Sequence, residues 1–232
     1  MDLTGRVVVV TGGFGLLGTA IVRAALAAGA KVAAIGEGPS PADPSKFRDV
    51  LAIGGVDLAE PDAAKHALDT VAAKLGGLDA LVNTAGTFRW QTLEQGNIET
   101  WDLLYRVNLR TAVSASRAAL PLLLRAGGGR IVNVGAAAAA VKAGTGMAAY
   151  TAAKAGVLKL TESLAEELKD RGITVNAVLP SIIDSPANRA DMPKADFSRW
   201  VTPGDVANVV LFLLSDAARA VTGALIPVSG RV

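Results

Sequence analysis

The chain has 232 residues, about half of them hydrophobic, and carries 23 Lys and Arg against 21 Asp and Glu. That near balance, with no basic run, gives a pI near 9.0 without a nucleic-acid footprint, so no nucleic-acid partner is expected. Cysteine is absent and the single histidine, His66, sits in an alanine-rich helical pattern, which excludes disulfides, thiol nucleophiles and Cys- or His-based metal sites, so no metal is expected.

At the start, Met1-Asp2-Leu3-Thr4-Gly5 has no basic segment before an apolar stretch, so no signal peptide is expected. "RVVVVTG" reads as a strand buried on both faces. "GTAIVRAALAAG" follows as a helix, with Ile21 and Ala25 four apart and Gly29 at its end. "AKVAAIG" is the next strand, "GEGPSPADPSKF" a surface loop, and "GGVDL" a short third strand. "PDAAKHALDTVAAKLGG" is a helix opened by proline. "LDALVNTAG" and "GRIVNVG" are further strands, and the helical segment between them, about 98 to 124, should bend or end at Pro121. "YTAAKAGVLKLTESLAEELKDRG" is a long amphipathic helix, with Val157, Leu160, Leu164 and Leu168 in one stripe and Gly172 closing it. "ITVNAVLP" and "ALIPVSG" are the last strands. Between them lies an irregular stretch, 184–200, in which "DMPKADFSRW" reads as a short lid helix. "VANVVLFLLSDAARAV" is broken by Ser215-Asp216 and reads as a buried helix, not a membrane span. The alternation predicts an α/β fold: a doubly wound parallel sheet with helices on both faces, in a single domain over 1–232. A soluble, cytoplasmic protein with no membrane partner is expected.

"VVVVTGGFGLLGTA" places Gly13, Gly15 and Gly18 as G-x-G-x-x-G between the first strand and the first helix. The first glycine would allow a tight turn, the second close approach of backbone to a pyrophosphate, and the third helix–strand packing. The helix N-terminus then offers free N–H groups to phosphates. Gly12, Phe14, Leu16 and Leu17 complete this cofactor loop. The second strand ends "VAAIGEGP", which puts Gly36 or Glu37 at the adenine ribose. A carboxylate there bonds ribose hydroxyls and repels a 2′-phosphate, and no Arg or Lys stands in the loop to neutralise one. NAD(H) is therefore favoured, with NADP(H) as the alternative cofactor.

"TGGFGLLG", "VDL" at 56–58, "NTAG" at 83–86, "VNL" at 107–109, "YTAAK" at 150–154, "VNAVLPS" at 175–181 and "VTGALIPVSG" occur in the order of the short-chain dehydrogenase/reductase family, which the chain resembles over nearly its whole length. The resemblance implies a Rossmann-type fold of about seven strands, a nicotinamide cofactor, a small-molecule substrate and a homodimer or homotetramer. By position it implies that Asp57 and Leu58 meet the adenine and that Asn83, Ala85 and Gly86 lie beside the adenosine ribose. It implies that Asn108 holds a proton-relay water and kinks its helix, and that Pro180, Ile183 and Ser185 lie beside the nicotinamide amide. Tyr150 matches the catalytic acid/base and Lys154 its partner. Independently of the family, residues i and i+4 share a helix face, so an ammonium at Lys154 should lower the pKa of the Tyr150 phenol and prepare it for proton transfer.

Three positions depart from the family pattern. The middle glycine usually stands at Leu16, Thr84 replaces a commoner asparagine, and the serine that bonds the substrate oxygen aligns with Ala136 or Ala137. Losing such a donor typically costs ~10²–10³ in rate. Thr145 and Ser181 are the nearest hydroxyls in sequence. The stretches 136–154 and 179–200 also resemble quinonoid dihydropteridine reductases, an NADH-using branch without the serine, whose substrate is already electrophilic. Phe88, Trp90, Ala136, Met147 and Ile182 are the expected substrate wall, with the loop 184–200 over it. The function expected is hydride transfer between nicotinamide and a carbonyl- or alcohol-type substrate. The alternatives are a dihydropteridine reductase-like enzyme and, from another class, a non-catalytic nucleotide-binding regulator or scaffold.

Overall fold

The valine run Val7–Thr11 (β1) is buried along its whole length, as a strand covered on both faces must be. The structure, a computed structural model, describes residues 1–40 and 47–232; the middle of the expected "GEGPSPADPSKF" loop lies outside the described residues. β1 pairs with Lys31–Ile35 (β2) on one side and Ala80–Asn83 (β4) on the other. Val50–Ile53 (β3), Gly129–Val134 (β5), Ile173–Pro180 (β6) and Leu225–Val228 (β7) complete a seven-stranded sheet in the order β3-β2-β1-β4-β5-β6-β7, every pairing parallel. The strand order reverses between β1 and β4, so the crevice beyond their carboxyl ends is where such a sheet receives a ligand.

Alternate side chains of β1 feed two cores. Val8 and Val10 face Leu16–Ala27 (α1) and Pro203–Leu214 (α8), through Ile21, Val22, Val206 and Val210. Val7 and Val9 join the opposite core with Pro61–Leu75 (α2), Thr111–Arg125 (α4) and Ala148–Leu168 (α6). No described helix is long and apolar enough to cross a membrane.

Four local expectations are corrected. The third strand lies just before "GGVDL", because Gly55 adopts φ +72° and the Gly54 N–H bonds the Ser40 hydroxyl at 3.1 Å, turning the chain out of the sheet. The segment after β4 breaks not at Pro121 but at a π-helical turn, Arg106–Arg110, between Ile98–Tyr105 (α3) and α4. Pro121 stands within α4, on its exposed side. In α6 the buried face is Val157, Leu158, Thr161, Ala165 and Leu168, so Leu160 and Leu164 of the expected stripe are only half-buried. In 184–200 the helix is Pro186–Asp191 (α7), and "DMPKADFSRW" forms a single 3₁₀ turn, Phe197–Arg199, started by Asp196 accepting from the Ser198 N–H at 3.0 Å. A one-turn helix, Ala137–Ala140 (α5), precedes α6.

Candidate active site

The loop after β1 is shaped chiefly by Gly12. It takes φ +59°, and a Cβ there would lie 2.8 Å from the Ala85 backbone. The turn role expected of Gly13 therefore falls to Gly12, while Gly13 packs against Ala34 of β2, where a Cβ would come within 2.7 Å. Gly15 caps α1 without crowding, its nearest neighbour for a Cβ being Gly12 O at 3.4 Å. Gly18 packs against the turn itself, not a strand as expected, its Cβ position colliding with Gly12 O. Leu16 opens the helix half-exposed, which is how a side chain fits where the family's glycine usually stands. α1 has no side-chain cap and no acidic residue in its first turn, so its free N–H groups and positive end are available to phosphates. These groups border a cavity of about 390 Å³ that runs from Gly15–Gly18 past Gly36–Pro39 to Thr84–Gly86. Its floor is lined by glycines, which lets a ligand approach the backbone closely.

Two threonines clamp the crevice floor. Thr84 Oγ1 donates to Thr11 O, while Thr11 Oγ1 accepts from the N–H groups of Thr84 at 3.2 Å and Ala85 at 3.3 Å. The Asn83 amide turns inward instead, donating to Ser116 Oγ at 3.1 Å and Asn133 Oδ1 at 2.9 Å; Asn133 in turn donates to Thr161 Oγ1 at 2.9 Å. Where the cavity passes the end of β2, Gly36 is buried beneath the Phe14 ring, which a Cβ there would strike. Phe14 itself stands edge-on to Phe47 at 5.4 Å. Glu37 is exposed and lines the cavity, and no described Lys or Arg lines it. Leu58 packs into the core under β2. Asp57 stands beside it, its Oδ1 accepting from the Ala59 N–H at 3.0 Å and its Oδ2 from Arg106. Partial burial alone would raise the Asp57 pKa, but the Arg106 and Ala59 hydrogen bonds hold it below the usual carboxylate range.

The π-turn aims Asn108 at the crevice. Such a turn leaves carbonyls without their helical partners, and two side chains fill them: Asn108 Nδ2 donates to Leu104 O at 3.0 Å and Thr111 Oγ1 to Val107 O at 2.7 Å. The same Asn108 amide also grips Thr87 in both directions, accepting from its N–H at 3.2 Å and donating to its carbonyl at 3.0 Å. Its Oδ1 converges with Lys154 Nζ over Gly86: a Cβ at Gly86 would lie 2.7 Å from one and 3.3 Å from the other. Lys154 is buried and donates to Val134 O at 2.8 Å. One turn earlier on α6, Tyr150 meets the Phe88 ring edge-on at 5.1 Å and 87°. The expected lowering of the phenol's pKa is not found. Burial pushes Tyr150 up to about 12 and Lys154 down to about 8, because the site strips water from both groups.

Around this pair the wall is apolar. Trp90 donates from Nε1 to Thr145 O at 2.9 Å and lies flush on Gly146, fixing the 86–92 loop to the turn before Met147, the N-cap residue of α6. Ala136 is buried at the end of β5, and Ala137 opens α5. Neither alternative hydroxyl replaces the serine: Ser181 donates to Ser229 O at 2.8 Å, and Thr145 is exposed. Pro180 ends β6, Ile182 follows half-buried, and Ile183 bridges to Val201. Ser185 caps α7, accepting from the Asn188 N–H at 3.0 Å.

The profile of the short-chain dehydrogenase family matches residues 6–196. The chain belongs to the short-chain dehydrogenase/reductase family. It is 34% identical to the 3-oxoacyl-[acyl-carrier-protein] reductase FabG of Escherichia coli K12, over 99% of this chain and 98% of that protein. It is 35% identical to 2-(S)-hydroxypropyl-CoM dehydrogenase 3 of Xanthobacter autotrophicus, over 98% and 96%. A short-chain type dehydrogenase/reductase from Mycobacterium ulcerans superposes with a TM-score of 0.91 at 27% identity, over 100% of this chain and 90% of that one. Membership makes the chain an NAD(P)-dependent oxidoreductase.

Three features of this short-chain dehydrogenase escaped the sequence reading: the Thr11–Thr84 clamp, the Phe14 ring over Gly36, and Arg106 on Asp57. Thr84 was visible as a departure from the family's asparagine. Nothing in the sequence pairs Arg106 with a carboxylate 49 residues away.

Proposed function

We propose that this short-chain dehydrogenase transfers hydride between NAD(H) and a carbonyl-like substrate, with Tyr150 as the only side-chain proton donor at the reacting oxygen. The observation that supports the reading is the convergence of Asn108 and Lys154 over Gly86, with Tyr150 one turn before Lys154 on α6 and alanine at 136 and 137. The bound dinucleotide supplies the hydride. Tyr150 then gives its proton to the oxygen that gains charge, and takes it back in the reverse direction. Lys154 would hold the cofactor ribose beside Gly86, where its Nζ converges with Asn108 Oδ1. Asn108 holds the Gly86–Thr87 turn in register with Lys154. Phe88, Trp90 and Met147 would offer an apolar surface to the substrate, Phe88 meeting the Tyr150 ring edge-on. Preference for NAD over NADP is supported by Glu37 in the cavity wall without any described cation to meet a 2′-phosphate.

With one donor, the site suits substrates that are electrophilic before they bind. Quinones and quinonoid dihydropterins fit better than simple ketones, which need a second hydrogen bond to the developing alkoxide. The engagement of Ser181 with Ser229 favours this narrower reading. The test is steady-state NADH oxidation with ketones, quinones and quinonoid dihydropterin, using the unaltered chain and Tyr150→Phe. Turnover of the activated acceptors that falls about 10²–10⁴-fold in the variant is expected. Equal turnover by both proteins refutes the assignment of Tyr150.

A homodimer or homotetramer is the proposed assembly. Leu103 and Val113 stand exposed on α3 and α4, and Leu160 and Leu164 are half-buried on α6, an apolar surface that a second copy would cover. Light scattering reads the mass directly; a monomer at micromolar concentration removes the proposal.

A further inference from the structure

The segment that leaves β6 and returns to α8, residues 181–201, is tied at both ends to one short stretch of chain after β7. At the near end, Ser181 donates its N–H to Val228 O at 3.1 Å and its hydroxyl to Ser229 O at 2.8 Å. At the far end the ties are reciprocal. The Arg199 guanidinium donates from Nε to Arg231 O at 2.9 Å, and the Arg231 guanidinium donates from Nη2 to Ser198 O at 2.8 Å. Between them the Arg231 N–H donates to Arg199 O at 3.0 Å. So close an approach suits Gly230, which takes φ +60° and would put a Cβ 2.7 Å from Arg199 O. The loop between the two ends is one folded piece. Arg189 pairs with Asp184 through Nε at 2.6 Å and Nη2 at 2.7 Å, and its guanidinium covers the Phe197 ring at 4.8 Å. The loop leaves the carboxyl end of β6, beside the end of β5 that Ala136 follows.

We infer that Arg231 is a positioning residue for the substrate: with Arg199 it latches the far end of the 181–201 loop and so sets how closely that loop covers the acceptor. The neck of the loop is closed independently. Ile183 bridges to Val201, whose N–H donates to Ile182 O at 3.1 Å and whose carbonyl accepts from the Asp184 N–H at 2.8 Å. Loss of the latch therefore frees the turn Phe197–Arg199 and, through Phe197 and Arg189, α7, while Ile183 stays in place. Acceptor binding should suffer and dinucleotide binding should not. The inference rests on the hydride-transfer reading above and deepens it by naming what holds the loop over the substrate.

The experiment compares the unaltered chain with Arg231→Ala and Arg231→Lys. It uses steady-state kinetics with NADH and a quinone, and limited digestion with trypsin, which cuts after Arg189 and Lys194 inside the loop. Arg231→Ala should raise KM for the quinone about tenfold, the worth of one hydrogen bond from a charged group, with kcat and the NADH dissociation constant within about twofold. Cleavage at Arg189 and Lys194 should speed up as well, because it follows the population of the open loop. Arg231→Lys, which still offers an N–H to a carbonyl, should recover part of the KM. An unchanged KM overturns the inference whether or not cleavage changes, and so does a raised KM with cleavage unchanged. A KM that rises together with the NADH dissociation constant also overturns it, since Arg231 then only supports the fold. An unaltered chain that oxidises NADH with no acceptor overturns the hydride-transfer reading instead, and the cleavage comparison alone then decides the latch.

Discussion

Lys154 Nζ donates to the backbone carbonyl of Val134 at 2.8 Å, from a side chain buried at the end of β5. No carboxylate lies within ion-pairing distance of it among the described residues. Its ammonium is therefore held by a neutral acceptor in a buried position, and burial lowers its pKa from 10.5 to about 8.

That shift makes stability depend on pH. Between about 8 and 10.5 the unfolded chain binds more protons at this residue than the folded one, so stability rises with pH across the window. Below pH 8 the full cost of burying the charge is present, at most about 3 kcal/mol. Tyr150 acts in the opposite sense, because its phenol stays protonated up to about 12 in the fold and stability falls as pH rises from 10 to 12. Urea melts from pH 7.5 to 10 should show the rise, and Lys154→Met should flatten it. A slope unchanged in the variant assigns the effect elsewhere.

Gly12 and Gly15 should respond oppositely to alanine. Gly12→Ala forces a Cβ onto the Ala85 backbone at φ +59° and should cost about 1–3 kcal/mol and lose dinucleotide affinity. Gly15→Ala meets nothing closer than 3.4 Å and should leave the melting temperature within a few degrees of the unaltered chain. Paired thermal melts decide it.

Ala136→Ser should create the second donor that the site lacks. Turnover of simple ketones should rise by as much as about 10²-fold, while that of quinones changes little. A serine variant that gains on neither class means that the hydroxyl does not reach the reacting oxygen.

Glu37→Arg should reverse the charge on the cavity wall where we propose that the adenine ribose lies. NADPH affinity should rise about tenfold by a charge-assisted hydrogen bond to the 2′-phosphate, and NADH affinity should fall as the ribose hydroxyls lose their acceptor. Fluorescence titration with both cofactors measures the ratio.

The sheet was legible because its strands are continuous β-branched runs set between glycines, and the helices because their apolar residues recur every three or four positions. The third strand was misplaced since Val50–Ile53 and Gly54–Leu58 are both short and apolar; the hydrogen bond from Gly54 to Ser40 separates them. The helix break was sought at Pro121 on local chemistry, although a proline on the solvent side of α4 costs little. The opening that matters comes from Asn108 reaching both Leu104 and Thr87.

The sequence by itself determined the fold class, the family and the tyrosine–lysine pair, because strand and helix periodicity and the i, i+4 spacing are local properties of the chain. Which glycine makes the turn, what holds Asp57, and whether Tyr150 is acidified or kept protonated were decided only in three dimensions. Gly12 meets Ala85, Arg106 meets Asp57, and Phe88 meets Tyr150 across long stretches of chain. Steric exclusion, ion pairing and loss of water all depend on which atoms are adjacent in space, and the folded sheet sets those neighbours.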